Sequence, residues 1–148
     1  MRYRSAGCAR LFQRDRRTRA VEARLAQSPV VSKGSVKTAK SGTGDKLGYL
    51  ATCEYLPVVK HAFGNERGEP EAAIFATAYE VEGAAASTRP VCFAFNGGPG
   101  SSSVWLHLGA LGPKRVVVPE DGSMPTPPYA VSDNPLTWLA HFDLVFID

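Results

Sequence analysis

Two segments with strand-type patterns open the main part of the chain. Tyr49 to Leu56 is rich in β-forming residues and is followed by a proline, and Ala73 to Val81 alternates its larger side chains on one face. Residues His61 to Pro70, between them, are rich in the glycine, asparagine and proline that favour turns. Two such strands joined by a turn predict a β-hairpin.

Two continuous apolar runs come later, at Pro90–Phe95 and at Asp143–Asp148. Runs of this kind are typical of strands buried on both faces of a sheet. Apolar residues at helical spacing lie between them: Val104, Trp105, Leu108 and Leu111. Serines before this segment and Gly112-Pro113 after it are suitable helix ends. The pattern predicts an α/β fold, with an antiparallel hairpin leading into parallel strands and one main helix.

The segment between this helix and the last run contains little regular pattern. Arg115 to Val118 predicts a short strand, and residues 119–135, with five prolines, predict an irregular loop. Asn134 to Trp138 predicts a capped helical turn with a proline at its first position. One helix and one turn are too few to cover two strands buried on both faces. We therefore expect the chain to be the N-terminal part of a larger α/β domain.

Charge separates the N-terminus from the rest. The whole chain has a formal net charge of +3. Residues 1–28 hold eight arginines and two acids, whereas residues 29–148 hold more acids than bases and are mildly acidic. We expect residues 1–28 to be a basic extension without fixed structure, 29–45 a linker, and 46–148 the folded part. An organelle-targeting segment or an RNA-binding arm are the alternatives for 1–28. No apolar core of a secretory signal is readable there, and the compartment stays open.

The composition, with 44% hydrophobic and 21% charged residues, is that of a globular protein. No run is long and apolar enough to span a membrane, and the body does not suggest nucleic-acid binding. Cys8, Cys53 and Cys92 lack the close spacing of a zinc site, so we expect no metal and no cofactor. A Cys53–Cys92 disulfide remains an open alternative to two free strand residues.

The strongest chemical signal is Asn96-Gly-Gly-Pro-Gly100, placed between a predicted strand and a predicted helix. Such loops hold phosphates on backbone N–H groups, but no lysine follows as in a P-loop. Ser103 stands where a dinucleotide fingerprint needs its third glycine. The same amides can bind the oxyanion of an acyl-transfer reaction. A turn that only reverses the chain is the remaining alternative.

The glycine loop is the first of four sequence motifs that follow one another along the chain: Asn96-Gly-Gly-Pro-Gly-Ser-Ser-Ser103, Leu111-Gly-Pro113, Asn134-Pro-Leu-Thr-Trp138 and Asp143-Leu-Val-Phe-Ile-Asp148. In order and distance they resemble the motifs of the serine carboxypeptidase family of α/β-hydrolases. The resemblance covers about residues 46–148. It implies a hydrolase that releases C-terminal residues from peptides by Ser/Asp/His acyl transfer.

The resemblance also implies roles for three residues. The backbone N–H of Gly98 matches an oxyanion-hole donor, and Asn96 and Gly97 match groups that bind the C-terminal carboxylate of a peptide substrate. The family's nucleophile lies on a later Gly-x-Ser-x-Gly elbow, so the triad is expected beyond Asp148 and the chain alone is expected to be inactive. His107 and His141 are expected to be ordinary polar or packing residues.

Two departures from the family pattern affect the expected function. Ser101 stands where many secreted members have a disulfide-forming cysteine, and Ala110 stands where many have a glutamate that helps to hold the substrate carboxylate. An esterase or acyltransferase of the same fold is therefore an alternative. A short non-catalytic protein that binds a partner through an exposed sheet edge is another. The sequence does not indicate an oligomeric state.

Overall fold

The computed structural model of the chain describes residues 6–39, 46–60, 68–85, 88–98 and 100–148. The N-terminal helix is α1 (Ala6–Leu25). The strands are β1 (Val30–Lys37), β2 (Lys46–Val59), β3 (Pro70–Val81), β4 (Val91–Ala94), β5 (Lys114–Val116), β6 (Val131–Asp133) and β7 (Asp143–Ile147). The short helical segments are α2 (Val104–Leu106), the π-helical turn His107–Leu111 and the 3-10 turn Trp138–Ala140.

A mixed sheet of five strands organises the fold, in the order β1-β2-β3-β7-β4. Strands β1 and β2 pair antiparallel, as do β3 and β7, whereas β4 and β7 are parallel. Strands β5 and β6 form a separate antiparallel pair. The sheet confirms the predicted α/β character, and β2 lies beside β3 as the hairpin prediction requires. Most of the predicted turn, residues 61–67, lies outside the described residues.

The chain divides into two units. One combines α1 with residues 54–75; in it Tyr55 packs edge-on against Phe75 at 5.3 Å between ring centroids, and the Arg24 guanidinium lies 5.7 Å from the centre of the Tyr55 ring. The other unit holds residues 30–53 and 76–148 and contains the buried core. Seven side chains make up that core: Val36, Tyr49, Tyr79, Ala94, Leu139, Leu144 and Phe146.

The N-terminal extension has regular structure, contrary to the expectation from its charge. Residues Ala6–Leu25 form α1, and the helix ends before Pro29. The expectation of no fixed structure was based on the charge of the arginines. Arginine, alanine, leucine and glutamate also have high helix propensity, which favours α1. The segment contains no proline that would interrupt it.

The predicted linker is also corrected, because residues Val30–Lys37 form β1. They pair with residues Lys46–Cys53 of β2, and Val36 is fully buried. Gly34 lies opposite Tyr49, and a Cβ at position 34 would come within 2.4 Å of the Tyr49 ring. The serines and glycine that suggested a flexible segment are compatible with a strand here, since backbone pairing and the tyrosine ring supply the stabilising contacts.

Strand β4 lies at the edge of the sheet and is not buried on both faces. Val91 is 52% exposed and Phe93 is 62% exposed, whereas Leu144 and Phe146 of the neighbouring β7 are almost fully buried. A continuous apolar run cannot by itself distinguish a central strand from an edge strand. The prediction of a strand is therefore confirmed for this segment, and its burial on both faces, expected within a larger domain, stays a prediction.

The main helix is shorter and less regular than its spacing predicts. Three residues of α2 pass directly into the π-helical turn, and Gly112 ends it as predicted. Trp105 is 73% exposed, while Leu106 and Leu111 pack against the core. The wider π-helical turn changes which side chains face inward, so the predicted apolar face is only partly correct. The proline-rich loop contains an additional strand, β6, that pattern alone did not predict.

Candidate functional site

The glycine loop connects β4 to α2, as the sequence predicts. Gly98 has a φ of 62° and Gly100 a φ of 93°, both in the left-handed region that favours glycine. A Cβ built on Gly98 would meet no atom within 4 Å, so the space beside this residue is open. The loop is closed by a hydrogen bond of 3.2 Å from the Ser101 N–H to the Gly98 carbonyl. An accessible backbone in this conformation suits binding through main-chain groups.

The three predicted site residues, Asn96, Gly97 and Gly98, lie together on this loop. The two glycines are exposed and Asn96 is half-buried. The Asn96 Nδ2 donates a long hydrogen bond, 3.4 Å, to the carbonyl of Ser102 across the loop. This contact supports the turn that Asn96 begins. At that length it is weak, and it leaves the side-chain amide able to exchange it for a better acceptor.

A carboxylate at the end of β7 holds the far side of the loop. Asp148 Oδ1 accepts hydrogen bonds from the Ser103 N–H at 2.5 Å, the Ser103 hydroxyl at 2.9 Å and the Ser102 hydroxyl at 2.8 Å. Burial opposes ionisation of Asp148, but the hydrogen bonds from Ser102 and Ser103 outweigh it and hold the pKa of the carboxyl below its usual range. The carboxylate is therefore charged at neutral pH and tied to the loop.

His107, on the π-helical turn, is built into the core. Its Nε2 lies 2.6 Å from the Tyr79 hydroxyl, and its ring stacks on Phe146 at 4.4 Å between centroids. Burial raises the pKa of Tyr79 to about 12. Burial also lowers the pKa of His107, against the opposing effect of the Asp148 charge. The raised pKa of Tyr79 keeps the phenol protonated at neutral pH, and the lowered pKa of His107 favours a neutral imidazole, so the hydrogen bond joins two uncharged groups.

This pair predicts acid sensitivity of the fold. Because the folded-state pKa of His107 lies below its ordinary value of 6.5, the neutral imidazole stabilises the protein fully above that pH. The contribution is lost as the pH falls through the lowered pKa. Urea unfolding measured at a series of pH values should show this fall, and His107→Gln should reduce it. The matched control His141→Gln should keep it. Equal pH dependence in wild type and His107→Gln would contradict the prediction.

The segment after the π-helical turn is held by buried polar side chains. Asn134 Nδ2 donates to the carbonyls of Ala110 at 2.7 Å and Gly112 at 2.8 Å, and the Thr137 hydroxyl donates to the Leu111 carbonyl at 2.8 Å. These three carbonyls are left without helical partners at the C-terminal end of the turn. Asn134 also accepts from the Leu136 N–H, so it caps a turn as predicted. The helical turn itself begins later than predicted, at Trp138 with Thr137 as its cap, and Pro135 is not its first residue.

Arg89 and Asp143 form an ion pair at the start of β7. The Arg89 Nε donates to Asp143 Oδ1 at 2.9 Å, and the Arg89 Nη2 donates to the Leu139 carbonyl at 2.7 Å. Both side chains are mostly buried, at 17% and 15% exposure. The pair joins Arg89, two residues before β4, to the first residue of β7 and so ties together the starts of the two parallel strands.

Sequence reasoning missed the serine–aspartate contacts and the partner of His107. The Asp143–Asp148 motif is visible in the sequence, but nothing there indicates that the Asp148 carboxylate contacts Ser103, 45 residues earlier. The expectation that His107 is a packing residue fits its stacking on Phe146. His141 lies beside Phe142, with ring centroids 6.4 Å apart.

Other classes of site receive no support in the part of the chain that the structure describes. Within the described residues, no three His, Cys, Asp or Glu side chains come together in an arrangement that could bind a metal ion. Cys53 and Cys92 are both free, so the alternative of a disulfide between them is excluded. None of the described helices has the length and apolar character required to cross a membrane.

Comparison with known families identifies the class to which this loop belongs. The family model described as serine carboxypeptidase matches residues 60–148, more than half of the chain, and includes the glycine loop, the π-helical turn and β7. The chain belongs to the serine carboxypeptidase family. No curated protein and no solved structure matches the chain.

Proposed function

We propose that this chain is the N-terminal portion of a serine carboxypeptidase-like hydrolase with an α/β-hydrolase fold, in which Gly98 supplies an oxyanion-hole donor. The observation that carries the proposal is the glycine loop, which connects β4 to α2. Strand β4 pairs in parallel with β7, and Gly98 on the loop is exposed and has a left-handed backbone conformation. The family match to residues 60–148 supports the same reading.

The proposed role of Gly98 follows from the charge that acyl transfer creates. When a nucleophile attacks a peptide carbonyl, the oxygen becomes an oxyanion, and a preorganised N–H stabilises it more than it stabilises the substrate. The backbone at Gly98 has open space beside it, so a substrate carbonyl can approach closely. The second donor in such hydrolases is the residue after the nucleophile. We propose that this residue and the triad lie beyond Asp148, and that the chain by itself does not turn over peptides.

The same loop offers a way to recognise the end of a peptide. We propose that Asn96 and Gly97 bind the C-terminal carboxylate of the substrate. Asn96 is two residues before Gly98 on the same loop. Its long hydrogen bond to the Ser102 carbonyl costs little free energy to break. A carboxylate bound there would register the substrate terminus against the carbonyl to be attacked.

The test compares Asn96→Ala with wild type in the enzyme that contains the catalytic serine. Losing a hydrogen bond to a charged group, about 1.5–3 kcal/mol, should lower kcat/KM about ten- to a hundredfold for free-carboxylate peptides. The same peptides with amidated C-termini should lose much less. Ser101→Ala, on the same loop, is the matched control and should leave both substrates unaffected. Equal losses on free and amidated peptides would show that Asn96 only forms the turn.

A second candidate function, an esterase or acyltransferase of the same fold, is favoured by one observation. Ala110 occupies the position before Leu-Gly-Pro and offers only its carbonyl, which Asn134 already binds. No carboxylic acid is available at this position to assist in holding a substrate carboxylate. An enzyme that hydrolyses esters much faster than free-carboxylate peptides, with no loss from Asn96→Ala, would favour this candidate.

A further inference from the structure

Both ends of the glycine loop are attached to β7. At the entrance, β4 pairs in parallel with β7, from Val91 opposite Asp143 to Ala94 opposite Phe146. At the exit, Ser103 is fully buried, its hydroxyl donates to the Ile147 carbonyl at 2.5 Å, and its N–H donates to Asp148. Both ends of the glycine loop are therefore held by β7 and by Asp148, the residue that follows it.

Between these two ends, the described residues of the glycine loop have few contacts with the rest of the chain. Added Cβ atoms on Gly97, Gly98 and Gly100 would each meet nothing within 4 Å, and the hydrogen bonds given for the described loop residues stay within the loop: Asn96 Nδ2 to the Ser102 carbonyl at 3.4 Å and the Ser101 N–H to the Gly98 carbonyl at 3.2 Å. The position of the Gly98 N–H is consequently determined by where the two ends are held. Packing around the middle contributes little to it.

Besides the Ile147 carbonyl, one carboxylate oxygen holds the end of the loop at Ser102 and Ser103. Asp148 Oδ1 accepts from the Ser103 N–H and the Ser102 hydroxyl, and it shares the single Ser103 hydroxyl proton with the Ile147 carbonyl. The Ser102 hydroxyl in turn accepts from the Val104 N–H at 3.2 Å. Hydrogen bonds to an ionised acceptor are shorter and about twice as strong as neutral ones. They also satisfy the charge locally, so it is less available to repel an oxyanion on the loop.

We propose that Asp148 is a positioning residue that sets the location of the Gly98 donor by clamping Ser102 and Ser103 to the end of β7. It touches neither substrate nor reacting atoms and acts through the two serines. The inference rests on the proposed oxyanion role of Gly98. Asp148, the last residue of the Asp143–Asp148 motif, would thus contribute to catalysis separately from the strand that precedes it.

The test measures kcat and KM per titrated active site in the enzyme that contains the catalytic serine. Asp148→Asn removes the ionised acceptor while keeping the size of the side chain. It should lower kcat about tenfold and leave KM within about twofold, because a displaced donor loses transition-state stabilisation without losing substrate binding. Asp148→Glu should recover part of kcat. Asp121→Asn, the same charge change at an exposed loop residue, is the matched control and should leave both constants unchanged.

A spectroscopic measurement on the 148-residue chain tests the clamp itself. The Ser103 amide proton should resonate downfield in wild type and move upfield in Asp148→Asn. If Asp148→Asn does not fold, Ser102→Ala decides, with a smaller fall in kcat expected at constant KM. An unchanged kcat in Asp148→Asn, or in Ser102→Ala in that case, together with the expected loss of kcat/KM in Gly98→Ala, would overturn the positioning role of Asp148 alone. Unaffected turnover in Gly98→Ala would instead overturn the proposed function.

Discussion

Replacing Gly98 by alanine in the proposed hydrolase should lower kcat/KM about a hundred- to a thousandfold, the usual effect of losing one oxyanion donor. Gly98 has a left-handed φ of 62°, which alanine adopts only at a cost of about 1–2 kcal/mol. The loop would relax away from this conformation, moving the N–H, and the added methyl group would occupy the space left for the substrate. Free and amidated peptides should lose rate equally, because both pass through the same oxyanion.

Gly100→Ala is the matched control for this experiment. Gly100 is also left-handed, with a φ of 93°, and also has open space around it. The substitution therefore imposes similar backbone strain without altering the proposed donor, and we expect a much smaller loss of kcat/KM. Equal losses from the two substitutions, measured on the same peptides, would show that the shape of the loop matters and that Gly98 has no special role.

Arg89→Ala should destabilise the fold by about 3–5 kcal/mol, the usual cost of leaving one partner of a buried ion pair uncompensated. The substitution would leave the Asp143 carboxylate mostly buried without its cation, and it would also remove the donor to the Leu139 carbonyl. The free energy of unfolding in urea is the measurement. Asp143→Asn in the Arg89→Ala background should restore part of the loss, since it removes the buried charge.

The matched control for the ion pair is Lys33→Ala, which breaks the exposed pair with Glu82. These side chains are 73% and 48% exposed, so the expected change is about 0–1 kcal/mol. The contrast tests whether burial of the Arg89–Asp143 pair determines its contribution. A loss from Arg89→Ala no larger than that from Lys33→Ala would contradict the prediction.

Local chemistry explains why the glycine loop could be predicted from the sequence. A strand and a run of glycines are neighbours along the chain, and each has a preference that does not depend on distant contacts. The end of the π-helical turn at Gly112 could be predicted for the same reason. The expected serine cap is not formed by Ser103, which stands at the N-cap position but directs its hydroxyl to Ile147 and Asp148. The order of the motifs also indicated the family, which the match to residues 60–148 confirms.

The errors arise where a local preference competes with contacts that the sequence does not display. Residues Val30–Lys37 look like a linker until β2 supplies backbone partners and Tyr49 covers Gly34. The Pro90–Phe95 run forms β4 at the edge of the described sheet, where Phe93 is exposed because no described strand pairs with that edge. Apolar composition reports the tendency to be buried, and only the neighbouring elements decide whether burial occurs.

The sequence by itself determined the strand–loop–helix unit that carries Asn96, Gly97 and Gly98, because those preferences act over a few residues. Only the tertiary structure decided what holds that unit in place. Asp148 meets Ser103 across 45 residues, and the His107 ring lies on Phe146 and bonds to Tyr79, 28 residues before it. Such contacts depend on the order and register of β3, β7 and β4 in the sheet. No short-range pattern records that register, because it is set by packing and backbone pairing across the whole unit.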